Sequence, residues 1–198
     1  MTADASLYEG IIAHALAEGA FRAAAVDVEK IETDTVFREM CASNVCGNYG
    51  RCWMCPPDVG EIDDLMAELK TYDTALVYQS VGQLEDSYDF EGMMDAAAAH
   101  NRLTQSMRDY VTPAAFGGQF PKILHLGAGG CHVCETCAKK TGEPCRFPEK
   151  ALPSLEAYGV NVSKLAAAAG MKYINGQNTV TYFGAVLLGK GRRRSHAK

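Results

Sequence analysis

Eight cysteines gathered into two short stretches constrain this 198-residue chain more than any other feature. The first stretch, CASNVCGNYGRCWMCPPD at 41 to 58, spaces them Cys41-x4-Cys46-x5-Cys52-x2-Cys55. The second, CHVCETCAKKTGEPCRFP at 131 to 148, reads Cys131-x2-Cys134-x2-Cys137-x7-Cys145. Thiols at this density serve as disulfides or as metal ligands. Disulfides fit poorly, because a chain of this length can bury a core without staples. The N-terminal MTADASLYEGIIAHALAEGA also lacks the basic segment that precedes the apolar run of a secretory signal. A cytoplasmic protein with reduced thiols is therefore expected.

Two kinds of metal centre compete for the thiols. Zinc takes four ligands at about 2.3 Å from sulfur, commonly from two C-x2-C knuckles. Cys52-x2-Cys55 is one such knuckle, and Cys41 with Cys46 completes a set of four. The downstream stretch suits zinc less well, since C-x2-C-x2-C places three thiolates on a single tight wrap. An iron–sulfur cubane spreads its ligands over separate irons, and a loop with a cysteine at every third residue reaches three corners in turn. The ferredoxin run C-x2-C-x2-C-x3-C-P has this form. Here the last gap is seven residues and the proline is displaced to Pro148, while the upstream set ends Cys55-Pro56-Pro57. Such prolines stiffen a loop and remove backbone N–H groups from it. The expected cofactors are two [4Fe-4S] clusters held by all eight cysteines, with Zn2+ at one or both sites as the alternative. The long gap before Cys145 leaves open which cluster that residue serves.

The combination of CxxC, YGRCWMCPP, CxxCxxC, PCRFP and PSLEAYGVNV resembles an uncharacterised family of cysteine-rich, predicted metal-binding proteins of prokaryotes. The resemblance runs over roughly residues 41 to 185. It implies metal or iron–sulfur binding through the eight cysteines and carries no particular reaction with it. The downstream stretch alone is similar to bacterial ferredoxin segments, with the wider gap before Cys145 as a departure.

The rest of the chain supplies a scaffold. Apolar residues at helical spacing predict helices over 6–18, 58–72 and 89–111, the second capped by Asp58. Shorter helices are expected at SLEAYG (154–159) and VSKLAAAAG (162–170), the latter closed by Gly170. Alternating or β-branched runs predict strands at 21–31, 74–82, 121–130 and 179–188. Interleaved strands and helices indicate an α+β or α/β domain, with a small mixed sheet of about four strands and two cysteine-rich loops. The expected organisation is one domain over 1–188 and a basic flexible tail over 189–198.

Composition narrows the partners. Hydrophobic residues make up 47% and charged residues 22%, an ordinary soluble balance. No apolar stretch reaches the roughly eighteen residues of a membrane span. The net charge of −5 combines a tail carrying five Lys and Arg with an acidic body, which argues against a nucleic-acid groove. GAGG at 127–130 lacks both the dinucleotide and the P-loop patterns, so its glycines are expected to let the backbone approach the metal site closely.

Several residues beside the cysteines are candidates for a supporting role. Arg146 suits charge compensation of a thiolate-rich centre, or else a salt bridge to Glu149 or Glu156. Trp53, in the same stretch as Tyr49 and Arg51, is expected to shield the site. His132 is expected beside the ligands, and His14, His100 and His125 inside the scaffold. Alanine runs at 96–99 and 166–169 suit close helix packing. Three functions follow from the closed or open state of the centres. The first is one-electron transfer with a redox partner protein. The second is an enzyme with one open iron, Cys41 and Cys145 being the loosest ligands by spacing. The third is a zinc-stabilised binding module.

Overall fold

The structure is a computed structural model that describes residues 3–116 and 118–190. All of the basic tail beyond Lys190 lies outside the described residues. Helices α1 (Ala3–Ala17), α2 (Val36–Ala42), α3 (Ile62–Leu69), α4 (Phe90–Tyr110) and α5 (Val162–Ala168) alternate with strands β1 (Arg22–Asp27), β2 (Thr74–Gln83), β3 (Lys122–Leu126) and β4 (Thr179–Gly189).

The strands form one sheet in the order β1-β2-β4-β3, and the pairing, left as mixed by the sequence, is antiparallel throughout. Both β2 and β3 run opposite to β4, so they are parallel to each other, with α4 as the connection between them and β4 inserted into the gap. The two central strands explain their own sequences. Helices cover both faces, so Ala75–Gln79 and Phe183–Gly189 are buried without a break instead of alternating.

Side-chain alternation then divides the core in two. One face sets Ala75, Val77, Phe183, Ala185 and Leu187 against α3, α5 and the turn around Tyr158. The other sets Leu76, Tyr78, Val186 and Leu188 against Ile11 and Ala15 of α1 and Leu103 and Met107 of α4. Tyr78 lies across its register partner Gly184, where a Cβ would fall 2.4 Å from the ring, so only glycine fits. Helix α4 comes close to the sheet at Ala96, where a Cβ on Gly82 would meet the methyl at 2.5 Å, while Ala98 and Ala99 of the alanine run are exposed.

Helix boundaries follow from local chemistry. The Asp89 carboxylate accepts from the Gly92 N–H at 2.8 Å and starts α4, a cap of about 1 kcal/mol. Asn161 starts α5 in the same way, and Gly170 in the left-handed region closes it. The helix expected over 58–72 begins only at Ile62, because Gly60 has φ +124 and Asp58 is used elsewhere. The first strand stops at Asp27 and turns into a 3-10 segment at Val28–Lys30. Residues 154–159 form a 3-10 turn, Glu156–Tyr158, instead of a helix. Helix α2 carries no apolar stripe that pattern could reveal, because it buries no residue of its own.

Candidate metal centre

The two cysteine stretches meet beyond the C-terminal end of β3. That strand continues through Gly127–Gly130 to Cys131. Gly127 forms a bridge with Ser154, and Thr33, just before α2, forms one with Val160. The segment 153–160 thereby ties the approach to both loops. Its turn is locked by the Tyr158 hydroxyl, which donates to Glu68 at 3.0 Å. Direct contact between the loops comes at Gly130, where a Cβ would sit 2.7 Å from Asn48 Nδ2. The expected role of this glycine, close backbone approach, is here an approach to the other loop.

Each thiol owes its direction to a local feature. Phe37, Met40 and Cys41 share one face of α2 at i, i+3 and i+4 and line the same space. Arg38 fastens the helix from behind, donating to the carbonyls of Gly60 at 2.9 Å and Ala157 at 3.2 Å. Asn44, at φ +55, reverses the chain and accepts the Tyr49 N–H at 3.0 Å. A turn closed by Cys55 N–H to Cys52 O, 3.0 Å, buries both of its cysteines. In the downstream loop, Cys137 O accepts the Lys140 N–H as the first bond of the 3-10 segment Ala138–Thr141.

The division of the thiols in space differs from their division in sequence. Cys41, Cys46 and Cys55 line a cavity of about 330 Å3, together with Asn48, Tyr49, Ser154 and Glu156. Cys52 lines a second space with Cys131, Cys134, Cys137 and Cys145. This second space is small, about 10 Å3, with Trp53, Phe147, Ala151 and Arg146 around it. None of the eight cysteines is in a disulfide. Among the described residues, no three Cys, His, Asp or Glu side chains converge on a point suited to a single metal ion.

Hydrogen bonds and burial set the charge states. The Cys52 thiol is pulled below its ordinary range, foremost by the hydrogen bond with Cys55, then by the N–H groups of Met54 and Cys131 and by Cys137. Cys55, its partner, is pushed up by the same bond and by burial. Burial also raises Cys41 and Cys131. The Glu156 carboxyl is raised by burial as well, and only its own backbone and the Ser154 side chain oppose the shift.

The supporting residues fall mostly near the thiols. Trp53 forms part of the wall of the second space; its Nε1 donates to Glu143 O at 2.9 Å and its ring carries the Lys139 ammonium 4.2 Å from the centroid. Lys139 in turn pairs with Asp58 of the upstream loop. Arg146 donates to Cys134 and to Thr136 O, and its ion pair is with Glu143 at 3.1 Å, not with Glu149 or Glu156. His132 is exposed and lines neither thiol-bearing space. The other histidines belong to the scaffold: His100 bonds Ser80, His125 donates to Val111 O, and His14 stacks on Tyr110.

Sequence reasoning missed Arg38, Asn48, Lys139 and Glu156 as parts of the site. Glu156 had a visible signal, since it is the one acid in the apolar run ALPSLEAYGV.

Thiolate is the donor that selects soft metals and iron–sulfur clusters, so the donor chemistry fits such a group. The upstream space has room for it. The downstream space admits it only if the thiols spread. Fold and site together define a cysteine-rich protein with the donor set of a metal binder. The family of predicted metal-binding proteins known as DUF2284 matches residues 24–188, and this chain belongs to that family. Comparison with curated proteins and with solved structures found no match.

Proposed function

We propose that this protein holds two neighbouring iron–sulfur centres of the [4Fe-4S] type and passes single electrons to or from a partner oxidoreductase in the cytoplasm. The observation that supports this is the position of Cys52. It lines the downstream thiol space while hydrogen-bonding Cys55, which lines the upstream one. Two centres joined through one four-residue turn make a short path for an electron. The evenly spaced C-x2-C-x2-C wrap further favours a cluster over a single zinc ion.

In this reading Cys41, Cys46 and Cys55 hold one group, and the other draws its four ligands from among Cys52, Cys131, Cys134, Cys137 and Cys145. Such clusters, when bound, supply one-electron redox chemistry. The chain's own residues tune and shelter it. N–H groups of Met54 and Cys131 donate to the Cys52 sulfur, and Arg146 donates to Cys134. Hydrogen bonds of this kind favour the more negative state and raise a reduction potential. Trp53 and Phe147 form part of the wall on the downstream side.

The cavity of about 330 Å3 beside only three thiols favours a second reading, an enzyme that admits a small molecule at an open iron. Anaerobic analysis of iron, zinc and acid-labile sulfide tests both. About eight irons and eight sulfides per chain support two four-iron centres, and a colourless protein loaded with zinc overturns them.

A further inference from the structure

We propose that Glu156 is the fourth protein donor of the centre held by Cys41, Cys46 and Cys55, and that Cys52 belongs to the neighbouring set. This rests on the iron–sulfur reading above and assigns the ligands within it.

Three observations carry the assignment. First, among the described residues the upstream cavity is lined by three thiols, and Glu156 is the one acidic residue in its wall. The cysteine that spacing would supply as the fourth, Cys52, lines the other space and meets Cys137 there.

Second, no ion pair to Glu156 occurs among the described residues. Its side chain is partly buried in the cavity wall, where its hydrogen-bond partners are its own backbone and the Ser154 side chain. Arg38, near Cys41, donates through its terminal nitrogens to Gly60 O and Ala157 O and makes no ion pair with Glu156. An iron of a centre in the cavity would give the carboxylate a Lewis-acid partner.

Third, the carboxylate is held on a rigid element. Its 3-10 turn is fixed by the Tyr158–Glu68 hydrogen bond and by Arg38 on Ala157 O. The turn ends at Gly159, φ +71, where a Cβ would press 3.0 Å from Met66 Sδ. Ligands that must keep their geometry are built on such supported positions. One oxygen donor among three sulfurs would make its iron chemically distinct from the others.

The test uses the full chain, reconstituted anaerobically and reduced with dithionite. Wild-type protein grown on glutamate labelled with 13C at the side-chain carboxyl should show a 13C hyperfine coupling in pulsed ENDOR. In parallel, Glu156→Ala should shift the g-values of one of two EPR components and leave the other in place, whereas Cys52→Ser should alter the other one. Absence of the 13C coupling in the unaltered protein, which needs no variant to fold, overturns the assignment. So does a Glu156→Ala spectrum that superimposes on wild type. In either case a normal iron and sulfide content leaves the iron–sulfur reading standing, while wild-type protein free of both removes reading and assignment together.

Discussion

Cys52 of the upstream loop and Cys137 of the downstream loop meet side chain to side chain, although 85 positions separate them in the sequence. The contact makes Cys52 a member of both loops, joined to Cys55 within its turn and to Cys137 across the interface. Removing this thiol should therefore strip metal from the downstream site, even though the residue belongs to the upstream stretch. Cys46→Ser, on the exposed rim of the other cavity, should leave the downstream metal in place. EPR of the two reduced variants checks which component each one loses; loss of the same component from both would deny the regrouping.

The interface between the loops depends on the missing side chain at Gly130. Gly130→Ala places a methyl group 2.7 Å from Asn48 Nδ2, and overpacking of this kind costs about 1–3 kcal/mol. Thermal unfolding should show the loss, accompanied by weaker retention of metal. Asn48→Gly in the same chain should restore much of both, and a double variant no better than the single one would contradict the contact.

Trp53 is the only tryptophan, and it lines the downstream thiol space. Its fluorescence should fall on loading with iron and sulfide and recover when a chelator removes the metal. Trp53→Phe deletes the hydrogen bond to Glu143 O, worth about 1 kcal/mol, and weakens the seat of Lys139. Faster loss of metal from this variant is expected in a chelator competition, with little change in the far-ultraviolet circular dichroism.

Acid should destabilise the scaffold independently of the thiols. Burial holds the His100 and His125 rings at about 4, below their ordinary 6.5. Both stay neutral in the fold while the unfolded chain takes up protons as pH falls through 6.5. Their contribution is complete above 6.5 and is lost progressively down to 4, at about 1.4 kcal/mol per pH unit for each ring. Denaturant titrations between pH 7 and 5 should show this slope, and His100→Gln should flatten it by about half.

Much of the scaffold was legible because its residues report their surroundings. The β-branched run Thr179–Gly189 and the capped, alanine-rich α4 lie within a residue or two of where pattern alone puts them. Helix α2 was not legible, since Val36–Ala42 buries nothing and so carries no apolar stripe. The site was legible as to donors and not as to grouping. Spacing reports which thiols are near in sequence, whereas the Cys52–Cys55 turn sends neighbouring sulfurs into different spaces. Glu156 was not read as a ligand for a related reason: the three thiols beside it are 101 to 115 residues upstream, and the bridges at Thr33 and Gly127, with Arg38 on Ala157 O, bring it to them.

The claim that two centres lie side by side is tested most directly by EPR of the anaerobic, fully reduced protein. Neighbouring paramagnetic clusters should broaden and split each other's signals and relax faster than either does in half-reduced samples. Two sharp, independent signals, or no iron signal at all from a zinc-loaded protein, would contradict the account.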